Sequence, residues 1–171
     1  AADLRAFTDA YPLRLAHDAP APVHHVNLGG GWGIPYFPGE RTLDLAPVAS
    51  ALAQVQMDLE RALPAARLVL ELGRYLVGEA GIYVARVIDR KVSRGQVFLV
   101  TDGGMHHHLA ASGNFGQVIR RNYPVAIGSR LQATDRETVC VVGPLCTPLD
   151  VLADRVELAV AQPGDLVVVF Q

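Results

Sequence analysis

The chain has 171 residues, half of them hydrophobic and 19% charged, with a formal net charge of -2 at pH 7. This composition supports a sizeable core and argues against disorder, and the absence of a basic patch argues against nucleic acid or an anionic membrane as a partner. No apolar run approaches the ~20 residues of a membrane span, and the first ten residues lack the apolar segment of a signal peptide.

The first part of the chain alternates strand and helix patterns. Leu4–Leu15 predicts a weak helix, and Val23–Leu28 predicts a strand that leads into a glycine triplet. A helix is expected to begin at Asp44 and to end at Pro64, because apolar residues recur there every three or four positions. Arg67–Leu72 predicts a second strand. The order strand, helix, strand indicates a βαβ unit with parallel strands.

After about residue 80 the pattern changes to strands rich in Val, Ile and Phe, separated by turn residues. The predicted strands are Tyr83–Val92, Gln96–Thr101, Thr138–Val142 and Leu166–Gln171. Helical periodicity is nearly absent from this part. We therefore expect an α/β domain over residues 1–80 and a mainly-β domain over residues 81–171.

The glycine triplet, Gly29, Gly30 and Gly31, follows the first predicted strand. Backbone N–H groups in such a run can face an anion without obstruction by a β-carbon, and phosphate is the natural guest. A plain turn is the alternative for three glycines taken alone.

Glu71 and Arg74 stand where the second predicted strand ends. The carboxyl ends of the strands form the active face of a parallel α/β barrel, so Glu71 is placed where a catalytic carboxylate is expected. Arg74 offers a forked donor for a phosphate or a substrate carboxylate. The alternative is a surface ion pair, which contributes little to stability.

The two cysteines differ in their setting. Cys146 lies in a stiff loop that begins at Gly143 and ends at Asp150, where it can donate or accept a proton. Cys140 lies within a predicted strand and is expected to be buried packing. Their spacing of six positions fits no zinc or redox motif, so a reducing, cytoplasmic location is expected.

Three histidines, His106, His107 and His108, follow one another. Neighbours on a strand point to opposite faces, so only His106 and His108 could share an ion. A third ligand, for example Asp102, would have to complete such a site. We expect no metal, and favour an interface or a position beside a cofactor for these histidines.

The runs VNLGGGWGIPY, ELGRYLVGEAG and VGPLCTPLD, in this order, resemble the signature of the fold-type III pyridoxal-phosphate (PLP) decarboxylases, which act on diaminopimelate, ornithine and arginine. The resemblance implies late units of a (β/α)8 alanine-racemase-like barrel followed by a mainly-β decarboxylase C-terminal domain. Alanine racemases lack the cysteine loop, so decarboxylation is implied rather than racemisation. Thr101–Gln117 resembles a bacterial subgroup encoded with exopolysaccharide export systems.

The resemblance also implies residue roles. The glycine triplet would contact the phosphate of PLP, and Glu71 would pair with the ring nitrogen and keep it protonated. Gly73 and Arg74 match further phosphate or substrate contacts. Cys146 matches a proton-handling cysteine that reaches into the partner subunit's site in a homodimer, and Asp150 matches an acidic residue beside it, in contact with the amino-acid substrate.

Three departures from the family pattern matter. Leu72 replaces a usual Pro, and Thr147 replaces an Asp or Glu that meets the distal amine of the substrate, which leaves room for a neutral or hydroxylated substrate. The family's cofactor-binding lysine lies on an early barrel strand, and Lys91, the chain's one lysine, matches no such motif. The chain is therefore expected to be an internal piece.

Two alternatives stay open at this point. In the first, the protein is a non-catalytic regulatory or binding protein with the PLP fold. In the second, it is a metal-dependent β-domain enzyme that uses His106 and His108.

Overall fold

The computed structural model describes residues 16, 18–37, 39–113 and 120–170. From residue 20 on, the α-helices and strands within these ranges are β1 (His25–Gly30), α1 (Leu45–Ala62), β2 (Arg67–Glu71), α2 (Gly73–Val77), β3 (Ile82–Ser93), β4 (Gln96–Thr101), β5 (Val125–Ile127), β6 (Arg136–Val142), β7 (Val151–Ala159) and β8 (Leu166–Phe170). The chain divides into two compact units, the first comprising Ala1–Pro35 and Glu40–Gly78, the second Tyr36–Gly39 and Glu79–Gln171. In the part of the chain described, no helix is both long enough and apolar enough to cross a membrane.

The first unit contains the predicted βαβ arrangement. β1 and β2 pair in parallel, and the side chain of Asp44 caps α1 by accepting a hydrogen bond of 3.0 Å from the backbone N of Ala46. Val55 and Leu59 are the buried residues of α1, whereas Leu45 is 44% exposed. The predicted apolar face of α1 therefore packs mainly through its C-terminal half.

The second unit is built on a six-stranded sheet, in the order β5–β8–β3–β4–β6–β7 among the described residues. Neighbouring strands are antiparallel, except that β4 and β6 are parallel. Residues of β5 and β7, at the two ends of this order, have Cα atoms within 8 Å of each other. The sheet therefore curls toward a barrel.

Inward-facing side chains of this sheet form a continuous core, in which Leu99, Val141 and Leu152 have no exposed surface. The ring of Tyr36 stacks on that of Tyr123, with centroids 5.3 Å apart and planes 4° from parallel. This stacking explains why the short segment around residue 36 belongs to the second unit and not to the first.

The predicted strands are confirmed as β3, β4, β6 and β8, but β5, β7 and α2 were not predicted. β7 carries Asp154 and Arg155 in its middle, and Arg155 has a φ of 45°. Beside this distortion the register between β6 and β7 shifts, so the alternation of apolar and polar residues is broken. The predicted helix over Leu4–Leu15 lies outside the described residues.

Candidate functional site

The glycine triplet ends β1 with two left-handed backbone angles. φ is +73° at Gly29 and +80° at Gly31, values that other residues rarely adopt. Between them, Gly30 pairs with Glu71 across the two strands, and a β-carbon on Gly30 would overlap the carbonyl oxygen of Glu71. A β-carbon on Gly29 or Gly31 would meet no atom within 4 Å, so the chain bends there beside open space.

Glu71 is the last residue of β2, and Asn27 holds its carboxylate. Asn27 Nδ2 donates to Glu71 Oε1 over 2.6 Å, while Asn27 Oδ1 accepts from the backbone N of Gly29 over 2.7 Å. Glu71 is exposed. The structure thus brings Glu71 to the glycine triplet through a residue that the motif analysis missed, because nothing in the pattern links positions 44 residues apart.

Gly73 and Arg74 are the first two residues of α2, directly after Glu71, and both are exposed. The segment after the triplet packs beside α2, since the rings of Trp32 and Tyr75 meet edge to face with centroids 5.3 Å apart. The predicted cofactor-binding residues of the first unit are therefore grouped where two parallel strands end.

A cavity of about 490 Å³ opens beside this group. Its walls include Gly29, Gly30 and Gly31 together with apolar side chains such as Val48 and Leu52 of α1. Glu71 and Arg74 are not among its lining residues. The cavity therefore supplies a mostly apolar wall next to the triplet, while Glu71 and Arg74 lie outside it.

The cysteine loop, residues 143–150, connects β6 to β7 and leaves Cys146 exposed. Asp150 is only 2% exposed. Its Oδ1 accepts from the backbone N of Met105 over 2.7 Å, and its Oδ2 accepts from the backbone N of Leu145 over 2.8 Å. Asp150 therefore fastens the cysteine loop to the turn that begins the histidine run. Its contact with a substrate stays a prediction.

Thr147 lines a cavity of about 420 Å³ in the second unit, together with Lys91 and Ser93. The Oγ1 atom of Thr147 accepts a hydrogen bond of 3.3 Å from the backbone N of Leu149. Lys91 is exposed and lies on β3. Thr147 thus contributes a neutral wall to this cavity, and its role toward a substrate also stays a prediction.

Cys140 is 3% exposed, which confirms its assignment to the packed interior. Its Sγ donates to Asp154 Oδ1 over 3.1 Å and accepts from the backbone N of Arg155 over 3.3 Å. Burial, together with the nearby Asp154 carboxylate, raises the pKa of the Cys140 thiol, although hydrogen bonds from the Arg155 backbone and Gln96 oppose the rise. Cys140 therefore stays protonated and unreactive.

The histidine run does not lie on a strand. Residues 105–107 form a turn, and the side chain of His108 turns back to accept from the backbone N of Ala111 over 3.2 Å. The strand geometry that would let His106 and His108 share an ion is therefore wrong. No group of three His, Cys, Asp or Glu side chains suited to a metal ion occurs among the described residues.

The phenol side chain of Tyr83 lies against the histidine run. Tyr83 Oη is 3.3 Å from Nδ1 of His107. Burial, followed by the negative charges of Asp102 and Asp150, raises the pKa of Tyr83. Tyr83 therefore keeps its hydroxyl proton beside the histidines at neutral pH.

Comparison with known proteins assigns the chain to one family. Residues 11–171 match the family model described as the pyridoxal-dependent decarboxylase C-terminal sheet domain. The chain therefore belongs to the pyridoxal-dependent decarboxylases.

The relatives are longer proteins. The chain is 42% identical over 149 residues to L-glutamyl-[BtrI acyl-carrier protein] decarboxylase of Niallia circulans, an alignment that covers 85% of this chain and 35% of the relative. It is 34% identical over 153 residues to a diaminopimelate decarboxylase of Synechocystis sp., covering 86% and 31% respectively. The crystal structure of the Methanocaldococcus jannaschii diaminopimelate decarboxylase shares the fold, with a TM-score of 0.68 and 24% identity over 98% of this chain and 36% of that one. This chain spans about a third of the length of these relatives.

Proposed function

We propose that the protein containing this chain is a PLP-dependent amino-acid decarboxylase, of which the first unit forms late strand–helix units of the barrel. The observation that carries the proposal is the position of Glu71, exposed at the end of β2 and hydrogen-bonded through Asn27 to the glycine triplet. The named relatives, which are decarboxylases, support the reaction class.

The residues present fit PLP. Gly29 and Gly31 border space that no side chain fills, which suits a phosphate, and Arg74 adds an exposed guanidinium. Gly73, which has no side chain and open space beside it, leaves room for the same contact. PLP, when bound, supplies an electron sink that needs a protonated ring nitrogen. An exposed carboxylate at Glu71 would hold that proton.

Cys146 is the proposed proton-transferring group at the substrate Cα. It is exposed on a loop that Asp150 fastens at Leu145 and links to the turn at Met105, which supports a role in the partner subunit's site of a homodimer. The protein would then be a two-site enzyme in which each site draws on both chains. A cytoplasmic location is proposed as well, and the two unpaired cysteines support it.

The proposed substrate is an amino acid without a free ammonium at its far end, and Asp150 would contact it. Thr147 supports this class because a neutral hydroxyl stands where the family's acidic residue is expected. The relative of Niallia circulans, which is named for an L-glutamyl group attached to an acyl-carrier protein, supports it independently. The association with exopolysaccharide export, implied by the Thr101–Gln117 run, also stays a proposal.

Subunit complementation tests the function and the shared site together. In the full-length protein, Glu71→Gln should greatly reduce CO2 release because an amide cannot hold the ring proton, and Cys146→Ala should do the same because the proton donor is lost. After subunit exchange between the two variants, half the dimers are mixed and each has one intact site of two, so recovery to about a quarter of wild-type activity is expected.

The matched control is Glu79→Gln, an exposed carboxylate with no proposed role, which should keep wild-type turnover. Near-normal turnover in Glu71→Gln with PLP bound would contradict the proposed function. No recovery after verified exchange would show that Cys146 acts in its own subunit or not at all.

A further inference from the structure

Asn27 lies inside β1, between the two predicted functional groups of the first unit. Its strand partner across the parallel pair is Val69, and a register shift between Asn27 and Gly30 brings Gly30 opposite Glu71. The shift places the Asn27 side chain within hydrogen-bonding distance of both the Glu71 carboxylate and the Gly29 amide. One side chain therefore joins the ends of two strands.

The chemistry of the carboxamide matches this double contact. Its Nδ2 donates to a carboxylate oxygen, a charge-assisted bond and therefore stronger than a neutral one. Its Oδ1 accepts from the backbone two residues ahead, the pattern by which Asn sets a turn, and Gly29 there adopts its left-handed φ of +73°. A carboxylate at position 27 could make only the second contact.

We propose that Asn27 is a positioning residue that fixes the Glu71 carboxylate and the glycine triplet as one unit. The inference rests on the proposed function, since it assigns a purpose to the orientation of Glu71. Asn27 occupies Oε1 of Glu71, and within the described part of the chain no further hydrogen bond or ion pair reaches this carboxylate. Oε2 is thus left as the oxygen available to the ring nitrogen of PLP.

Two substitutions separate the two contacts. Asn27→Asp keeps the acceptor for the Gly29 amide but removes the donor to Glu71 and sets two carboxylates side by side. Asn27→Ala removes both contacts. If the Glu71 contact matters, Asn27→Asp should lower kcat at least as much as Asn27→Ala, by about 10- to 100-fold, the loss seen when a hydrogen-bond partner behind a metal ligand is removed.

A double-mutant cycle in the full-length protein tests whether Asn27 acts through Glu71. The double variant Asn27→Asp with Glu71→Gln should turn over no more slowly than Glu71→Gln alone, because Asn27→Asp keeps the contact with the Gly29 amide and residues that act as one unit are not additive. The matched control is Asn122→Ala, since Asn122 makes a similar double contact, to the backbone of Asp154, in the second unit. When Asn122→Ala is combined with Glu71→Gln, the fold-losses in turnover of the two single variants should multiply. Multiplicative losses for Asn27 as well would overturn the positioning role.

A cofactor-free measurement makes failure of this inference distinguishable from failure of the proposed function. In the apoprotein, Glu71→Gln should shift the NMR resonance of the Asn27 side-chain amide, and Asn27→Ala, but not Asn27→Asp, should speed hydrogen exchange at the Gly29 amide. An unmoved Asn27 resonance would overturn the inference even if Glu71→Gln abolishes decarboxylation. A shifted resonance with normal turnover in Glu71→Gln would instead overturn the proposed function, and with it the catalytic purpose of the contact.

Discussion

The two units of the chain differ in the size of their buried cores and in the exposure of their proposed functional groups. In the second unit, buried side chains from all six strands of the sheet form one core. In the first unit, the buried cluster consists of Val26, Leu59 and Ala66, while Glu71 and Arg74 are exposed. The unit with the smaller core thus presents the proposed cofactor-binding groups, which must stay accessible.

The largest expected effect compares one leucine from each unit. Leu99→Ala should destabilise the protein by about 2–5 kcal/mol, because Leu99 is fully buried in a continuous core that cannot collapse around the gap. Leu59→Ala should cost less, since its three-residue cluster can relax. Thermal unfolding of the two variants measures the difference. Equal losses would break the comparison between the units.

The second effect concerns the first unit alone. Gly30→Ala should destabilise it by about 1–3 kcal/mol, because the new methyl group overlaps the carbonyl oxygen of Glu71 and the strand pair must shift. Gly33→Ala is the matched control, since its β-carbon meets no atom within 4 Å, and it should stay within about 0.5 kcal/mol of wild type. Urea unfolding checks both variants, and similar losses would contradict the close approach at Gly30.

The smallest effect lies in a turn of the second unit. Burial would raise the pKa of Asp165, but hydrogen bonds from the Gln162 backbone, Ser129 and Arg130 outweigh it and lower that pKa. The charged Asp165 therefore stabilises the fold at a pH above the pKa that it has in the unfolded chain. This stabilisation is lost as the pH falls through the lower pKa that it has in the folded chain. Asp165→Asn should cost about 1 kcal/mol at pH 7.

The check is urea unfolding of wild type and Asp165→Asn between pH 7 and pH 2. The difference between them should shrink toward the acid end. The exposed Glu157 provides the control, since Glu157→Gln should follow wild type at every pH. A constant difference for Asp165→Asn would contradict the proposed charge-dependent stabilisation.

Local patterns predicted most of the secondary structure. The periodicity of α1 and the apolar runs of β3, β4, β6 and β8 are visible within elements of 5 to 18 residues, and the structure confirms them. β7 was not predicted because the distortion at Arg155 breaks its alternation of apolar and polar residues. β5 was not predicted because three residues are too few to show a periodicity.

The candidate site was predictable only in part. Glycine, glutamate and cysteine motifs are local and mark Glu71 and Cys146 directly. The contacts of Asn27 with Glu71 and of Asp150 with Met105 span 44 and 45 positions, so they depend on strand pairing and loop packing that no motif encodes. The histidine run was misplaced because a strand was assumed where the chain turns.

The anchoring of the cysteine loop has a consequence for how such enzymes diversify. Asp150 fixes both the start of the loop, at Leu145, and the neighbouring turn, at Met105, through backbone amides alone. Every residue except proline carries a backbone N–H, so the side chains at Leu145 and Met105 can change while both anchors are kept. The frame of the loop is thus kept apart from its proposed specificity position, Thr147.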